Sequence, residues 1–360
     1  MLIAAILCMI GFAAQAAGTF EDVSARAKAA REANDVPHAI ELYKQAVDLN
    51  PRWEEGWWFL GSLLYDSDQY ASGREALKHV VQIDVNAGPA WALLGLCEFE
   101  TGDYEASLDH LRRGLAQQSA EPQMENVVRY HEAQLLTRLG DFDAAVRAYS
   151  WFVNRGVKNP ELIVAIGLAA LRTPLLPKEV NGDRQLFAMA GEAADLTMVR
   201  DYRGASEAFD RLLLSYPNAH NVHYLYGCFL LAAKPESAVS ELRRELEITP
   251  TSGAANAMLA WMLLERGDTA GARSYAHAAA TQEPALPLAQ YVYGRSLLED
   301  GKLNASIEHL QLSEQRDPSN IETHMSLATA YSRAARPLDA RRERLQTLDM
   351  LKAKDSHANP

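Results

Sequence analysis

The sequence predicts an all-α fold, a solenoid of antiparallel helix pairs, on three observations. Small and aromatic residues recur at a step of 34: Trp57 and Gly61 return as Trp91 and Gly95, and Ala260, Gly294 and Ala328 keep the same interval. Prolines keep that time as well, Pro217, Pro250, Pro284 and Pro318 being 33, 34 and 34 residues apart. Within a period, apolar residues fall at helical spacing, as Trp57, Leu60, Gly61 and Leu64 do at i, i+3, i+4 and i+7. A period of roughly 20 to 50 residues marks stacked repeats whose core is built between neighbours.

Taken in order, the chain begins with an uncharged apolar run, Leu2 to Phe12, followed by the small residues of Ala14-Gln15-Ala16. That pattern predicts a signal peptide over 1–16, cut after Ala16, and an exported protein of the periplasm or the outside. The run is shorter than the ~20 residues that cross a bilayer. No Lys or Arg precedes it, so an uncleaved N-terminal anchor is the other reading. Cys8 lies inside the run, too early for a lipoprotein cysteine.

The chain as a whole has the composition of a folded protein, 48% hydrophobic and 23% charged. Its formal charge of -12 excludes nucleic acid as a partner, because phosphate backbones require a basic stripe. Cys97 and Cys228 lie almost four periods apart. Stacked helices are spaced about 8 to 10 Å, whereas a disulfide needs Cα atoms within about 7 Å, so two unpaired thiols are expected.

Repeats are placed at 20–53, 54–87, 88–121, 126–159, 186–218, 219–252, 253–286, 287–320 and 321–352. First helices carry stripes such as Gln290, Tyr293, Gly294 and Leu297, or His324, Leu327, Ala328 and Tyr331. Second helices carry Ala39, Tyr43 and Ala46, then Ala145, Tyr149 and Phe152, then Ala205, Phe209 and Leu212, then Ala272, Ala276 and Ala279. Glycine inside a helix costs about 1 kcal/mol against alanine, so small residues at one register mark close helix contact. The turns between helices read Gly102-Asp103, Gly140-Asp141, Gly267-Asp268 and Gly301-Lys302. Glycine ends the first helix in the left-handed conformation and Asp caps the next.

Departures are local. Val85 and Asn86 stand where a proline is expected, Gly114 replaces an alanine, and Lys234-Pro235-Glu236 shortens one turn by a residue. A lone first helix, 160–172, is followed by Thr173-Pro174-Leu175-Leu176-Pro177, which prolines keep from being helical. An extended strap over 173–182 is expected in place of a partner helix, joining blocks 20–172 and 183–352 as a bend or as a simple insertion. Residues 353–360 read as a disordered tail.

These residues resemble the tetratricopeptide-repeat family. Its pattern is matched by Trp57, Leu60, Gly61 and Tyr70, by Trp91, Leu94, Gly95, Gly102, Asp103 and Tyr104, and by Ala39, Tyr43, Ala46 and Pro51. Ala260, Gly267, Asp268, Ala272 and Pro284 form the cleanest late unit. The resemblance implies a right-handed superhelical solenoid whose first helices line a concave inner face where partners lie. Candidate partner-binding residues on that face are Trp58, Phe59, Tyr65 and Asp66, then Phe99 and Glu100, then Tyr130 and His131. The later block offers Tyr224, Trp261, Tyr291, Arg295 and Arg333. Aromatics bury much area at low conformational cost, which suits them to binding, although packing between neighbours is the plainer use. The carboxylate clamp of co-chaperone relatives is absent, its places being held by Ser24, Lys28, Phe59, Pro89 and Leu93.

Chemistry beyond binding has little support in the residues. His220 and His223 sit three apart but lack a third ligand at convincing spacing, and Asp66-Ser67-Asp68 lacks the glycine of a calcium loop, Ala71 standing there. No phosphate loop or nucleophile elbow occurs, and no metal or cofactor is expected. Arg341, Arg342 and Arg344 are expected to solvate the outer face of the last helix. The leading reading is a non-enzymatic scaffold or adaptor that binds a protein or peptide segment in its groove, an apolar or mildly basic one given the acidic edge. Two others stand beside it: a glycan-binding or glycan-active protein using Trp58, Tyr65, Asp66 and Glu100, and an assembly subunit tethered to the membrane by residues 2–17.

Overall fold

A computed structural model describes residues 18–117 and 122–358; the segment expected to be a signal peptide, 1–16, lies outside them. Among the described residues there are nineteen α-helices, one 3-10 turn and no strand. The first run is α1 (Phe20–Glu32), α2 (Val36–Leu49), α3 (Glu54–Asp66), α4 (Tyr70–Ile83), α5 (Gly88–Thr101), α6 (Tyr104–Ala116) and α7 (Pro122–Arg138). Then come α8 (Phe142–Val153), α9 (Pro160–Ala170), α10 (Arg184–Met198), α11 (Tyr202–Ser215), α12 (Val222–Leu230) and α13 (Pro235–Ile248). The last six are α14 (Gly253–Glu265), α15 (Thr269–Gln282), α16 (Pro287–Glu299), α17 (Leu303–Arg316), α18 (Ile321–Arg333) and α19 (Pro337–Ala358). The chain divides into two compact units between Leu139 and Gly140, so α7 closes the first unit and α8 opens the second. That division falls within the repeat placed at 126–159, not at the strap.

Each helix pair is written by its turn. Positive φ recurs at the same step of 34, at Asn34, Asp68 and Gly102 in the first unit and at Gly267, Gly301 and Ala335 in the second. The chain reverses there because a left-handed residue ends one helix and frees the next to start. Asp141, Asp201 and Asp268 then cap the second helices by accepting backbone N–H bonds from Ala144, Gly204 and Gly271. Asp103, at the same place, makes no such side-chain bond.

The core sits between the helices of a pair and between neighbouring pairs. At a regular joint the glycine of the first helix receives a leucine of the second: a Cβ added to Gly95 would lie 2.8 Å from Leu111 Cδ2, and one added to Gly294 would lie 2.8 Å from Leu310 Cγ. A buried serine closes the joint, Ser107 Oγ donating to Gly95 O and Ser306 Oγ to Gly294 O, each at 2.7 Å. Gly114, on the second helix α6, instead makes room for backbone, since a Cβ there would lie 2.9 Å from Ala92 N of α5. First helices also meet one another, α3 with α5 and α5 with α7 in one unit, α14 with α16 and α16 with α18 in the other. Second helices in these runs do not meet to that extent.

Around the strap the pattern changes. The lone helix α9 is not left with a strap for a partner: it packs along α10. Ile163 O faces Gly191 and Phe187 O faces Gly167, an order that makes the two helices antiparallel. The 3-10 turn Pro177–Glu179 lies in the strap, where Leu176 and Pro177 are buried, and returns the chain for that pairing. α9 is apolar all round and fully enclosed from Val164 to Ala170, as a helix with neighbours on every side must be. At the other end, α19 runs on to Ala358, through most of the segment read as a tail. Cys97 is buried, Cys228 is partly exposed, and both are free thiols.

Candidate functional site

One side-chain bond recurs through both units and fixes how five of the first helices start. Trp57 Nε1 donates to Pro51 O at 2.9 Å, Trp91 Nε1 to Val85 O at 2.8 Å and Gln290 Nε2 to Pro284 O at 2.9 Å. His223 Nε2 and His324 Nε2 meet Pro217 O and Pro318 O, each at 3.0 Å. All five reach six residues back, to the carbonyl that follows the preceding second helix. The far side of each ring or amide then meets the second helix of its own pair: His79 stacks on Trp57 at 4.0 Å, and His309 Nδ1 lies 2.7 Å from Gln290 Oε1. Glu241 Oε2 holds His223 Nδ1 at 2.6 Å, so this histidine is used on both sides by the fold. His220 turns instead to Thr249 Oγ1 at 2.7 Å.

In the first unit the candidate residues separate into packed and exposed groups. Phe59 is half-buried against Tyr43, ring centres 5.8 Å apart, with the Arg31 guanidinium 3.8 Å above it. Phe99 is 3% exposed and meets the His131 ring edge-on at 4.6 Å. Both rings therefore serve packing, Phe99 nearly enclosed and Phe59 only in part. His131 also has Nδ1 2.8 Å from Val127 O, and Tyr130 lies half-buried beside it. Trp58 and Tyr65 are half-buried, and Asp66 and Glu100 are exposed. Burial raises the Tyr65 phenol pKa, with Cys97, Glu100, Asp66 and Asp68 adding to the rise. Tyr70 packs edge-on against Tyr65 at 5.4 Å and donates to Asp68 Oδ1 at 2.5 Å, a bond that pushes its own pKa up to about 12. Tyr65, Tyr70, Asp66, Asp68 and Glu100 thus form one aromatic and acidic edge where α3 and α5 end.

In the second unit, three successive first helices contribute to one network. Trp261 on α14 donates from Nε1 to Glu322 Oε2 on α18 at 3.4 Å. Between them, Arg295 on α16 donates to Tyr291 OH at 3.0 Å and is ion-paired with Glu265 on α14. Arg333 Nη1 donates to Leu298 O at 3.2 Å, tying α18 to the end of α16. Tyr291 is only 2% exposed, so its ring is core and its hydroxyl alone meets the network. Burial raises its pKa, with Arg295 opposing that rise.

Tyr224 belongs elsewhere. It is buried and lines a cavity of about 430 Å³ with Ala170, Phe209, Leu225 and Cys228. Burial holds its phenol well above the ordinary range and pushes the Cys228 thiol up to about 12. Arg172, nearly enclosed and with positive φ, lies at this cavity between Asp143 at 3.5 Å and Glu283 at 2.8 Å. That buried cation is balanced by the two carboxylates and acts as a strut. Sequence reasoning missed Glu265 and Glu322, and it gave Tyr70 only a place in the repeat pattern and Asp68 only a place in a rejected calcium loop. Only Glu265 had a signal, standing four residues after Trp261 as Arg295 stands four after Tyr291.

Among the described residues no helix is long and apolar enough to cross a membrane. No curated protein sequence matches the chain. The family model described as tetratricopeptide repeat matches residues 24–87 and 257–321. Solved structures with likeness to it include a MamA protein, 18% identical over 49% of this chain and 96% of that one, with a TM-score of 0.38. The Cut9–Hcn1 hetero-tetramer of APC/C is 11% identical over 92% of this chain and 87% of its own, TM-score 0.42. Yeast Tom70 is 10% identical over 92% and 85%, TM-score 0.33. Two matched stretches, one in each unit, are tetratricopeptide repeats, and turns, joints and helix starts repeat at their step beyond them.

Proposed function

We propose that the protein is a non-enzymatic scaffold that holds a protein or peptide segment along the inner faces of its first helices. Tetratricopeptide repeats serve typically as protein-interaction scaffolds, and the repeats take up nearly all of the described chain. The observation that carries the reading is the side-chain network of α14, α16 and α18. Trp261, Arg295, Glu265 and Glu322 converge there from three repeats, partly exposed and already oriented by one another. Partner groups replacing such bonds pay little to order the surface. The edge at Tyr65, Tyr70, Asp66, Asp68 and Glu100 is the counterpart in the first unit, and its charge favours a basic or neutral segment over an acidic one. Export through residues 1–16 belongs to the same proposal; an intact Met1 on the protein isolated from the cell envelope would count against cleavage.

A photo-reactive amino acid placed at Trp58 or Trp261 tests the surface directly in cells. A discrete cross-linked species is expected from both positions and none from Arg203, which is 92% exposed on α11. Equal labelling from all three positions, or from Arg203 alone, would remove the inner face as the binding surface.

A further inference from the structure

The last second helix, α19, presents leucine where the fold elsewhere presents groups that meet the next repeat. Gln311 on α17 donates to Tyr331 OH on α18 at 3.0 Å, and Glu314 Oε1 lies 3.7 Å from His324 Nδ1 on the same helix. One repeat earlier, His277 on α15 packs edge-on against Tyr293 of α16 at 5.4 Å. In the other unit, Arg112 on α6 donates to Glu132 of α7 at 2.9 Å. The step of 34 carries His277 and Gln311 to Leu345, and Ala280 and Glu314 to Leu348. Ala280 is 9% exposed, whereas Leu345 and Leu348 are 52% and 51% exposed. Among the described residues no first helix follows α19. Its outer face thus carries exposed leucines beside the exposed Arg341, Arg342 and Arg344.

α1 offers an exposed face at the register that first helices elsewhere bury. Thr323, Leu327 and Ala330 of α18 are fully covered; at the same register α1 carries Asp22, Arg26 and Ala29, all exposed. Among the described residues no second helix precedes α1. Exposed Ala25 and Ala29 leave room for larger side chains from a helix laid there. We propose that α19 of one molecule packs on α1 of a second copy, continuing the array head to tail. The pairing repeats the antiparallel order of α17 and α18, in which Glu314 meets His324 and Gln311 meets Tyr331. That order sets Leu345 near Ala30 and Leu348 near Val23. It also brings Arg341 toward Glu32, and Lys352 toward Glu21 and Asp22, so charges of opposite sign meet at both ends of the contact. A head-to-tail contact of this kind leaves both ends open to further copies.

Sedimentation of the full chain across a range of concentrations tests the contact. Association that rises with concentration is expected, weakened about tenfold for each of Leu345→Glu and Leu348→Glu, with unchanged helix content because both side chains are exposed in the single molecule. A bis-maleimide applied to a mixture of chains carrying Glu32→Cys and differently tagged chains carrying Arg341→Cys should join the two kinds, above the background from wild type. Joining of Arg341→Cys chains to one another instead would show a two-fold pairing of α19 and overturn the proposal. Absence of association in wild type, or association that both leucine substitutions leave intact, would overturn it equally.

Discussion

Two helix crossings in this molecule use glycine for different ends. At the regular joints, Gly95 and Gly294 make room for the side chains of Leu111 and Leu310. Between α9 and α10, Gly167 and Gly191 make room for backbone: a Cβ on Gly167 would lie 1.8 Å from Phe187 O, and one on Gly191 would lie 1.9 Å from Ile163 O. A leucine can turn or slide by a few tenths of an ångström. A helical carbonyl cannot, because it is committed to its own ladder of hydrogen bonds. The repeat joint is therefore tolerant and reusable, whereas the crossing beside the strap is a single fixed contact.

Gly167→Ala is expected to have the largest effect. The helices must part to admit the methyl group, costing about 3 kcal/mol or more. Denaturant unfolding followed by hydrogen exchange in α9 and α10 would measure it, and a loss no larger than at a regular joint would erase the contrast. Gly95→Ala comes next at about 1 to 3 kcal/mol, since Leu111 Cδ2 can move but Leu111 N, 3.0 Å from the added Cβ, cannot. A companion Leu111→Val change should recover part of that loss if side-chain crowding dominates. No recovery would mean that the backbone contact dominates at this joint as well.

The same contrast shows what the residues disclosed. Regular joints were legible because the glycine, the aromatic and the proline each return at the step of 34. The α9–α10 crossing was not, because Gly167 and Gly191 are 24 apart, out of period, and Pro174 and Pro177 signal only where helix stops. Turns were half legible: Gly102 and Gly301 declare a left-handed residue, whereas Asn34, Asp68 and Ala335 adopt the same conformation without glycine. Position in the period, not residue type, sets the backbone there. Groove residues were the least legible. Inner first helices such as α5 are buried on most sides, so apolar residues like Phe99 carry no mark that separates an exposed stripe from a packed one. Tyr65 and Trp261 differ only in what neighbouring helices leave uncovered.

A regular joint also contains a buried titratable element, a histidine between two carboxylates. His324 is wholly buried, with Nε2 3.0 Å from Pro318 O and Nδ1 2.9 Å from Glu343 Oε2. A carbonyl and a carboxylate facing the two ring nitrogens favour the doubly protonated ring. Glu314 from α17 and Arg342 from α19, whose Nη2 donates to Glu343 Oε1 at 3.0 Å, complete the charges around it. Burial opposes the imidazolium, but the bonds to Glu343 and Pro318 and the charge of Glu314 outweigh it, leaving the pKa above the ordinary 6.5. A raised folded pKa means stability fully present below the unfolded value and lost as pH rises through the folded one. Unfolding midpoints should therefore fall from the acid to the alkaline side of neutrality. His324→Gln should flatten that slope, as Gln290 fills the same register without titrating; an unchanged slope would assign the pH dependence elsewhere.

The smallest effect expected is a gain. Ala335 holds φ at 55° where Gly301, one repeat earlier, holds 73° and pays no steric penalty for it. A left-handed alanine costs roughly 1 to 2 kcal/mol, and glycine's greater freedom in the unfolded chain returns part of that. Ala335→Gly should thus stabilise the end of the array by about 0.5 to 1 kcal/mol, read as slower amide exchange in α18 and α19. Those helices are the ones to watch because repeats gain stability mainly from their nearest neighbours, so a change in the last turn reaches only the last pair and the joint before it. A stabilisation spread evenly to α9 and α10 would instead mean that regular joints and the fixed crossing unfold together. In that case the difference between the two kinds of glycine contact would be one of packing alone and not of cooperativity.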